Sequence, residues 1–124
     1  MKKDLYFEIA KYLPNEFRKE LVQRLFEVNN RSVSATSRDM QTTRAQLYRY
    51  LGLSKRRNYP SERVTARALR ALHYKHPGEA IYLLQQQASR LQKLIEALAQ
   101  APHPSISTGE RGNTQGIPNS GNDQ

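Results

Sequence analysis

The segment TTRAQLYRYLGLSKRR, from Thr42 to Arg57, carries arginine, glutamine and tyrosine at helical spacing. On a helical wheel Leu47 and Leu51 share one side, with Tyr50 partly beside them. The remaining side holds guanidinium, amide and phenol groups, which hydrogen-bond to base edges and phosphates. The segment therefore predicts a nucleic-acid-binding helix. The alternative is an ordinary amphipathic surface helix followed by a solvated loop.

The charge of the chain is concentrated in its middle third. The whole chain has 124 residues and a net charge of +9. Residues 31–75 contain two acidic residues, and eleven basic ones account for the entire excess: Arg31, Arg38, Arg44, Arg49, Lys55, Arg56, Arg57, Arg63, Arg67, Arg70 and Lys75. Such segregation indicates a polyanionic partner, and it coincides with the segment described above.

Other functional classes have little support in the sequence. There is no cysteine, no glycine-rich phosphate loop and no recognisable nucleophile with its base, so we expect no enzyme and no cofactor. His73 and His76 have no further ligand close in sequence, so we expect no metal site. No apolar run is long enough to span a membrane and no export signal is present, so we expect a cytoplasmic, nucleoid-associated protein.

Every element of the chain shows helical periodicity, and no stretch alternates as a strand does. Caps and helix breakers set the ends of the helices. The expected order is a short helix capped by Asp4, a helix over about 15–29 with Asn15 as its N-cap, a short helix from Ser32 or Ser34 to Gln41, a helix from Thr42 or Thr43 to Gly52, a helix from Pro60–Ser61 to about Lys75, and a helix over about 79–100.

The stretch RAQLYRYLGL resembles the recognition helix of homeodomain-like helix-turn-helix domains. Similar sequences occur in the C-terminal domains of DNA invertases and resolvases, which often read STLYRYL, and in Fis-type modules. The resemblance implies a base-reading role for Arg49 and backbone contacts for Tyr48, with Tyr50 partly packed. Ala45 replaces the serine of those families, and Gln41–Thr42 replaces their glycine-containing turn. No recombinase catalytic domain accompanies the motif.

Two sets of DNA contacts are predicted. The base-contacting set comprises Arg44, Ala45, Gln46, Tyr48 and Arg49. The phosphate-contacting set comprises Arg38, Thr43, Lys55, Arg56, Arg57, Arg63, Arg67 and Arg70. The basic connector Lys55–Arg57 can instead enter a minor groove or remain solvated. The arginines that follow it, Arg63, Arg67 and Arg70, either contact phosphates or simply face solvent.

The last predicted helix has apolar residues at alternating steps of three and four, which is a coiled-coil seam. This seam predicts a dimer interface formed by Ile81, Leu84, Ala88, Leu91, Ile95 and Leu98. The alternative is that the seam packs within its own chain. A dimer would add stability to a small core and would double the DNA contacts.

The sequence thus predicts an all-α protein with a trihelical helix-turn-helix core, an added basic helix and a coiled-coil-like dimerisation helix. The expected divisions are a DNA-binding domain over 1–76, a dimerisation helix over 77–101 and a disordered tail over 102–124. The expected function is that of a homodimeric, sequence-preferring regulator that binds double-stranded DNA. A DNA-organising or partition protein of the same fold remains open, as does an RNA-binding or protein-adaptor module.

Overall fold

The computed structural model describes residues 4–102, and within that range the chain is all-α. The predicted tail therefore lies outside the described residues, except for its first residue. The helices are α1 (Leu5–Ala10), α2 (Asn15–Val28), α3 (Val33–Met40), α4 (Arg44–Leu51), α5 (Glu62–Lys75) and α6 (Pro77–Gln100).

Short-range capping sets most of the helix ends, and most of these ends agree with the sequence. The side chains of Asp4, Ser32, Thr43 and Ser61 accept hydrogen bonds from backbone N–H groups in the first turns of α1, α3, α4 and α5. Each bond satisfies a donor that the helix itself leaves unpaired. Gly52 follows α4 in the left-handed conformation that glycine adopts without strain.

Two helix starts differ from the prediction. The N-cap prediction for Asn15 is wrong: Pro14 occupies the N-cap position of α2, and Asn15 is already helical. The last helix starts at Pro77, before the predicted residue 79. Proline has no N–H and a φ near the helical value, so it suits the first turn of a helix and opens α6 here.

The core lies mainly on α2, α4 and α5. Its fully buried side chains include Leu21, Leu25, Leu47, Leu69 and Leu72. Helix α5 packs against α1, α2 and α3, whereas α4 packs against α2 and α3. The start of α6 also contributes, because Ala80 and Leu83 are buried in the same cluster. This packing fixes the position of α4 through its buried side chains.

Arg18 joins three backbone segments that are distant in sequence. Its guanidinium donates to the carbonyl oxygens of Ala10 at 3.1 Å, Leu13 at 2.8 Å and Pro60 at 3.1 Å. The side chain is 13% exposed. It therefore ties the end of α1 and the α1–α2 turn to the connector before α5.

A second polar network joins α2, α3 and α5. Lys75 Nζ donates to Asn29 Oδ1 at 2.7 Å and to Asp39 Oδ2 at 2.6 Å. The Asn29 amide nitrogen donates in turn to Thr36 Oγ1 and to Asp39 Oδ2. One of the eleven basic residues of the middle third is thus used to hold the fold together.

The chain separates into two compact units, one ending at Ala88 and the other beginning at Ser89. The first unit contains α1 to α5 and the first part of α6. The described part of the second unit is helical as far as Gln100, and its residues are exposed. The predicted domain boundaries at 76 and 101 stay predictions. Within residues 4–102, no helix combines the length and the apolar character needed to cross a bilayer.

Candidate nucleic-acid interface

Helices α3 and α4 are joined by the short turn Gln41–Thr43. Gln41 has a φ of 53°, in the left-handed region, and the Thr42 N–H donates to the Ser37 carbonyl at 3.0 Å. Ser37 and Met40 are buried on α3. A left-handed residue after α3 ends that helix and redirects the chain, so that α4 can begin at once.

The inner face of α4 contains Leu47, Tyr50 and Leu51, which are all buried. This agrees with the helical wheel, which places Leu47 and Leu51 on one side with Tyr50 partly beside them. The buried residues pack α4 against α2 and α3. The orientation of α4 is therefore set by its leucines and one tyrosine, and its polar side chains lie on the other side.

The predicted base-contacting residues form the outer face of α4, a name we keep for Arg44, Ala45, Gln46, Tyr48 and Arg49. Three of them, Arg44, Ala45 and Tyr48, are exposed, and the other two are half-buried. Arg44 donates to Ser34 Oγ at 2.6 Å, which holds its side chain beside the start of α3.

The two half-buried residues of this face belong to one hydrogen-bonded chain. Arg49 Nη1 donates to Gln46 Oε1 at 2.8 Å, and Gln46 Nε2 donates to the Tyr50 hydroxyl at 3.0 Å. Both ends of the Gln46 amide are thus engaged within α4. The sequence spacing of three and four residues allows these contacts. The base contact predicted for Gln46 stays a prediction.

Five of the predicted phosphate-contacting residues line surface hollows that meet at Gln41. One hollow is lined by Arg38, Arg67 and Arg70 with Gln41, and a second by Arg63, Arg67 and Arg70 with Gln41. A third hollow runs from Arg38 and Gln41 to Thr43 and Gln46. The arginines of α5 are therefore connected along the surface to the N-terminal end of α4.

The basic connector Lys55–Arg57 is exposed and lines none of these three hollows. It is held at its C-terminal end, where the Asn58 N–H donates to the Arg49 carbonyl and the Tyr59 hydroxyl donates to Glu16. The hydrogen bond to Glu16 raises the pKa of the Tyr59 phenol. The hydrogen bond between Asn58 and Arg49 thus links the end of the connector to α4.

Most of the positive charge in the middle third is unpaired. Among the described residues, Lys75 forms an ion pair with Asp39, and none of the other ten basic residues of this region forms one. Of the two acidic residues there, Asp39 is used by Lys75, and Glu62 lies 4.0 Å from Arg18. Nearly all of the excess positive charge of residues 31–75 is thus free of ion pairs with the described carboxylates.

The predicted dimer residues of α6 differ in exposure. Leu84 is partly buried against the core cluster, and Ala88 is exposed. Large apolar side chains farther along are open to solvent: Leu91 is 57% exposed, Ile95 48% and Leu98 76%. Ile81 is also exposed.

The part of the chain from residue 4 to residue 102 contains no cluster of three or more His, Asp or Glu side chains suited to a metal ion. Comparison with protein-family models, with curated proteins and with solved structures gives no match. The resemblance of α4 to the invertase-like recognition helix therefore stays a prediction. The candidate interface depends on its own geometry and charge.

Proposed function

We propose that this chain is a non-enzymatic, homodimeric protein that binds double-stranded DNA with a preference for certain sequences, as small transcriptional regulators do. In this proposal α3 and α4 act as a helix-turn-helix, and the outer face of α4 enters the major groove. The observation that carries the proposal is that Arg44, Ala45 and Tyr48 of this outer face are exposed beside arginines that form no ion pair with any carboxylate of residues 4–102.

The packing of α4 supports its proposed role as the helix that contacts base edges. Its apolar side is buried against α2 and α3, while Arg44, Ala45 and Tyr48 are exposed. A helix that inserts into a groove must present side chains to base edges without losing its packing. Arg44 and Arg49 supply guanidinium groups suited to guanine edges, and Tyr48 supplies a hydroxyl for a base or a phosphate.

The α5 arginines support a backbone contact next to the reading helix. Arg67 and Arg70 share hollows with Gln41, which also shares a hollow with Thr43 and Gln46 at the start of α4. A duplex that receives α4 in its groove would then place phosphates near these guanidinium groups. Each neutralised phosphate releases counterions, so binding should weaken as the salt concentration rises.

The exposed apolar residues of α6 support dimerisation. Leu91, Ile95 and Leu98 form the exposed C-terminal part of the predicted a/d seam, beyond Leu84, which packs against its own core. Water-exposed leucine and isoleucine at these positions would be buried in a two-stranded coil, which stabilises the pair. A two-fold dimer would bind an inverted repeat with half-sites about 10 base pairs apart, or a multiple of that spacing.

Selection of bound fragments from random duplexes tests the proposal, with competition by RNA and heparin at constant salt. The expected result is an enriched inverted repeat that binds about 1,000-fold tighter than a scrambled duplex. Tight binding without enrichment would favour the DNA-organising alternative. Stronger competition by RNA or heparin than by the selected duplex would contradict the proposal.

A further inference from the structure

An open apolar groove of about 570 Å³ lies between α1, α5 and the start of α6. Its apolar walls are formed by Leu5, Ile9, Leu69, Ala80, Ile81 and Leu84. Leu5 is 69% exposed although it faces this groove. The volume falls in the range of roughly 300–1,000 Å³ that is typical of small-molecule sites.

Four of the residues that line the groove are polar, namely Asp4, Tyr6, Arg70 and His73. The Tyr6 hydroxyl and His73 Nδ1 lie 2.9 Å apart, so each already has a partner. Asp4 also lines the groove, but its carboxylate accepts the backbone N–H groups of Tyr6 and Phe7. Arg70 differs from these residues, because its guanidinium forms no ion pair with any described carboxylate.

Arg70 also belongs to the basic surface described above. It lines the apolar groove and both of the hollows that contain Arg67. The side chain of Arg70 therefore lies between an apolar site and the proposed phosphate contacts. An anion bound in the groove would compete with a DNA phosphate for the same charge.

We infer that the groove binds a small monocarboxylate with an aliphatic or aromatic body, and that its carboxylate pairs with Arg70. The apolar walls favour the hydrocarbon body, and the unpaired guanidinium favours an anionic head over a neutral one. An apolar helix from a second copy would fill the walls but would leave Arg70 without an anion. The ligand then lowers DNA affinity, a consequence that rests on the proposed function.

Calorimetric titration of the full chain with sodium octanoate, in the absence of DNA, tests the site directly. We expect saturable binding of one octanoate per chain and about tenfold weaker binding of 1-octanol, which has the same body without the charge. Arg70→Gln should weaken octanoate binding by about tenfold. Arg63→Gln is the matched control, because it removes the same charge from α5 at a residue that does not line the groove.

A second variant tests the apolar wall without disturbing the core. Leu5→Glu places a negative charge at an exposed residue in the first turn of α1, where a carboxylate is tolerated. It should abolish octanoate binding while leaving the helical circular dichroism unchanged. Absence of saturable binding to the wild type, or equal binding of octanoate and octanol, overturns the inference. If Leu5→Glu converts a dimer into monomers, a second copy of the chain occupies the groove, and the inference is also overturned.

The regulatory consequence has its own measurement. At constant ionic strength, octanoate should weaken binding of the wild type to DNA and should leave the DNA affinity of Arg70→Gln unchanged. Saturable octanoate binding with an unchanged wild-type DNA affinity overturns the coupling. If the chain binds no DNA at all, the proposed function fails, and the calorimetric titration still decides whether the groove is a carboxylate site.

Discussion

Gln46 Oε1 accepts a hydrogen bond of 2.8 Å from Arg49 Nη1 on the outer face of α4. The other end of the same amide donates to the Tyr50 hydroxyl, and Tyr50 is buried. The guanidinium of Arg49 is thus linked through Gln46 to the core. In the proposed function, Gln46 would position the Arg49 guanidinium, and Arg49 would contact a base.

Replacement of Gln46 should reduce discrimination between DNA sequences. In Gln46→Ala, Arg49 loses its acceptor and samples more rotamers, so the ratio of affinities for selected and scrambled duplexes should fall by about fivefold to tenfold. Gln46→Glu keeps an acceptor for Arg49 and should preserve the ratio, although its charge weakens both affinities. If the ratio of affinities falls in both variants, the result would instead indicate that the Gln46 amide itself contacts a base.

Replacement of an apolar α6 residue should dissociate the proposed dimer. Ile95→Lys places a charge in the seam at a side chain that is half exposed, so the fold itself should remain intact. We expect light scattering to give the monomer mass of 14.3 kDa for this variant and twice that mass for the wild type. Ala97→Lys is the matched control on the outward side of the seam and should stay dimeric. A wild type that is monomeric at high concentration would contradict the proposed dimer.

The local signals in the sequence were sufficient to predict where most helices start and end. Ser32, Thr43 and Ser61 cap helices through bonds to backbone groups three residues away, and Gly52 ends α4 by its own conformation. Such signals depend only on neighbouring residues. The buried side of α4 could also be predicted from the sequence, because Leu47 and Leu51 are one helical turn apart.

Long-range contacts could not be predicted in this way. Arg18 binds carbonyls of Ala10 and Pro60, and nothing in its neighbourhood distinguishes it from a surface arginine. The positions of Arg67 and Arg70 beside Gln41 depend on how α5 packs against α3. Charge counting found the basic region but not the surface on which its members meet.

Loss of the Arg18 side chain should destabilise the fold. Arg18→Met removes three hydrogen bonds to carbonyl oxygens in a largely buried setting, so the free energy of unfolding should fall by about 2–4 kcal/mol. Urea unfolding followed by circular dichroism measures the change. Arg56→Met, at an exposed residue of the connector, should leave stability within about 0.5 kcal/mol of the wild type. Equal stability of the two variants would show that the carbonyl contacts contribute nothing.

Replacement of Gln41 by glycine should stabilise the fold. Gln41 has a φ of 53°, which costs a residue with a Cβ about 1 kcal/mol relative to glycine. Gln41→Gly should therefore raise the free energy of unfolding by about that amount. Gln41→Ala keeps the Cβ and should give no such gain. A decrease in stability with glycine would mean that the Gln41 side chain contributes more to the α3–α4 turn than its backbone strain costs.

Paired affinities test whether the outer face of α4 contacts DNA bases. Binding of a selected and a scrambled duplex is measured at constant salt for the wild type, Arg49→Ala and Arg57→Ala. Arg49→Ala should reduce the difference between the two binding free energies by about 1–3 kcal/mol, because a base contact is lost. Arg57→Ala should weaken both duplexes alike and reduce the salt slope by about one unit. If Arg49→Ala also weakens binding of both duplexes equally, α4 is not the helix that contacts the bases, and the proposed function is wrong.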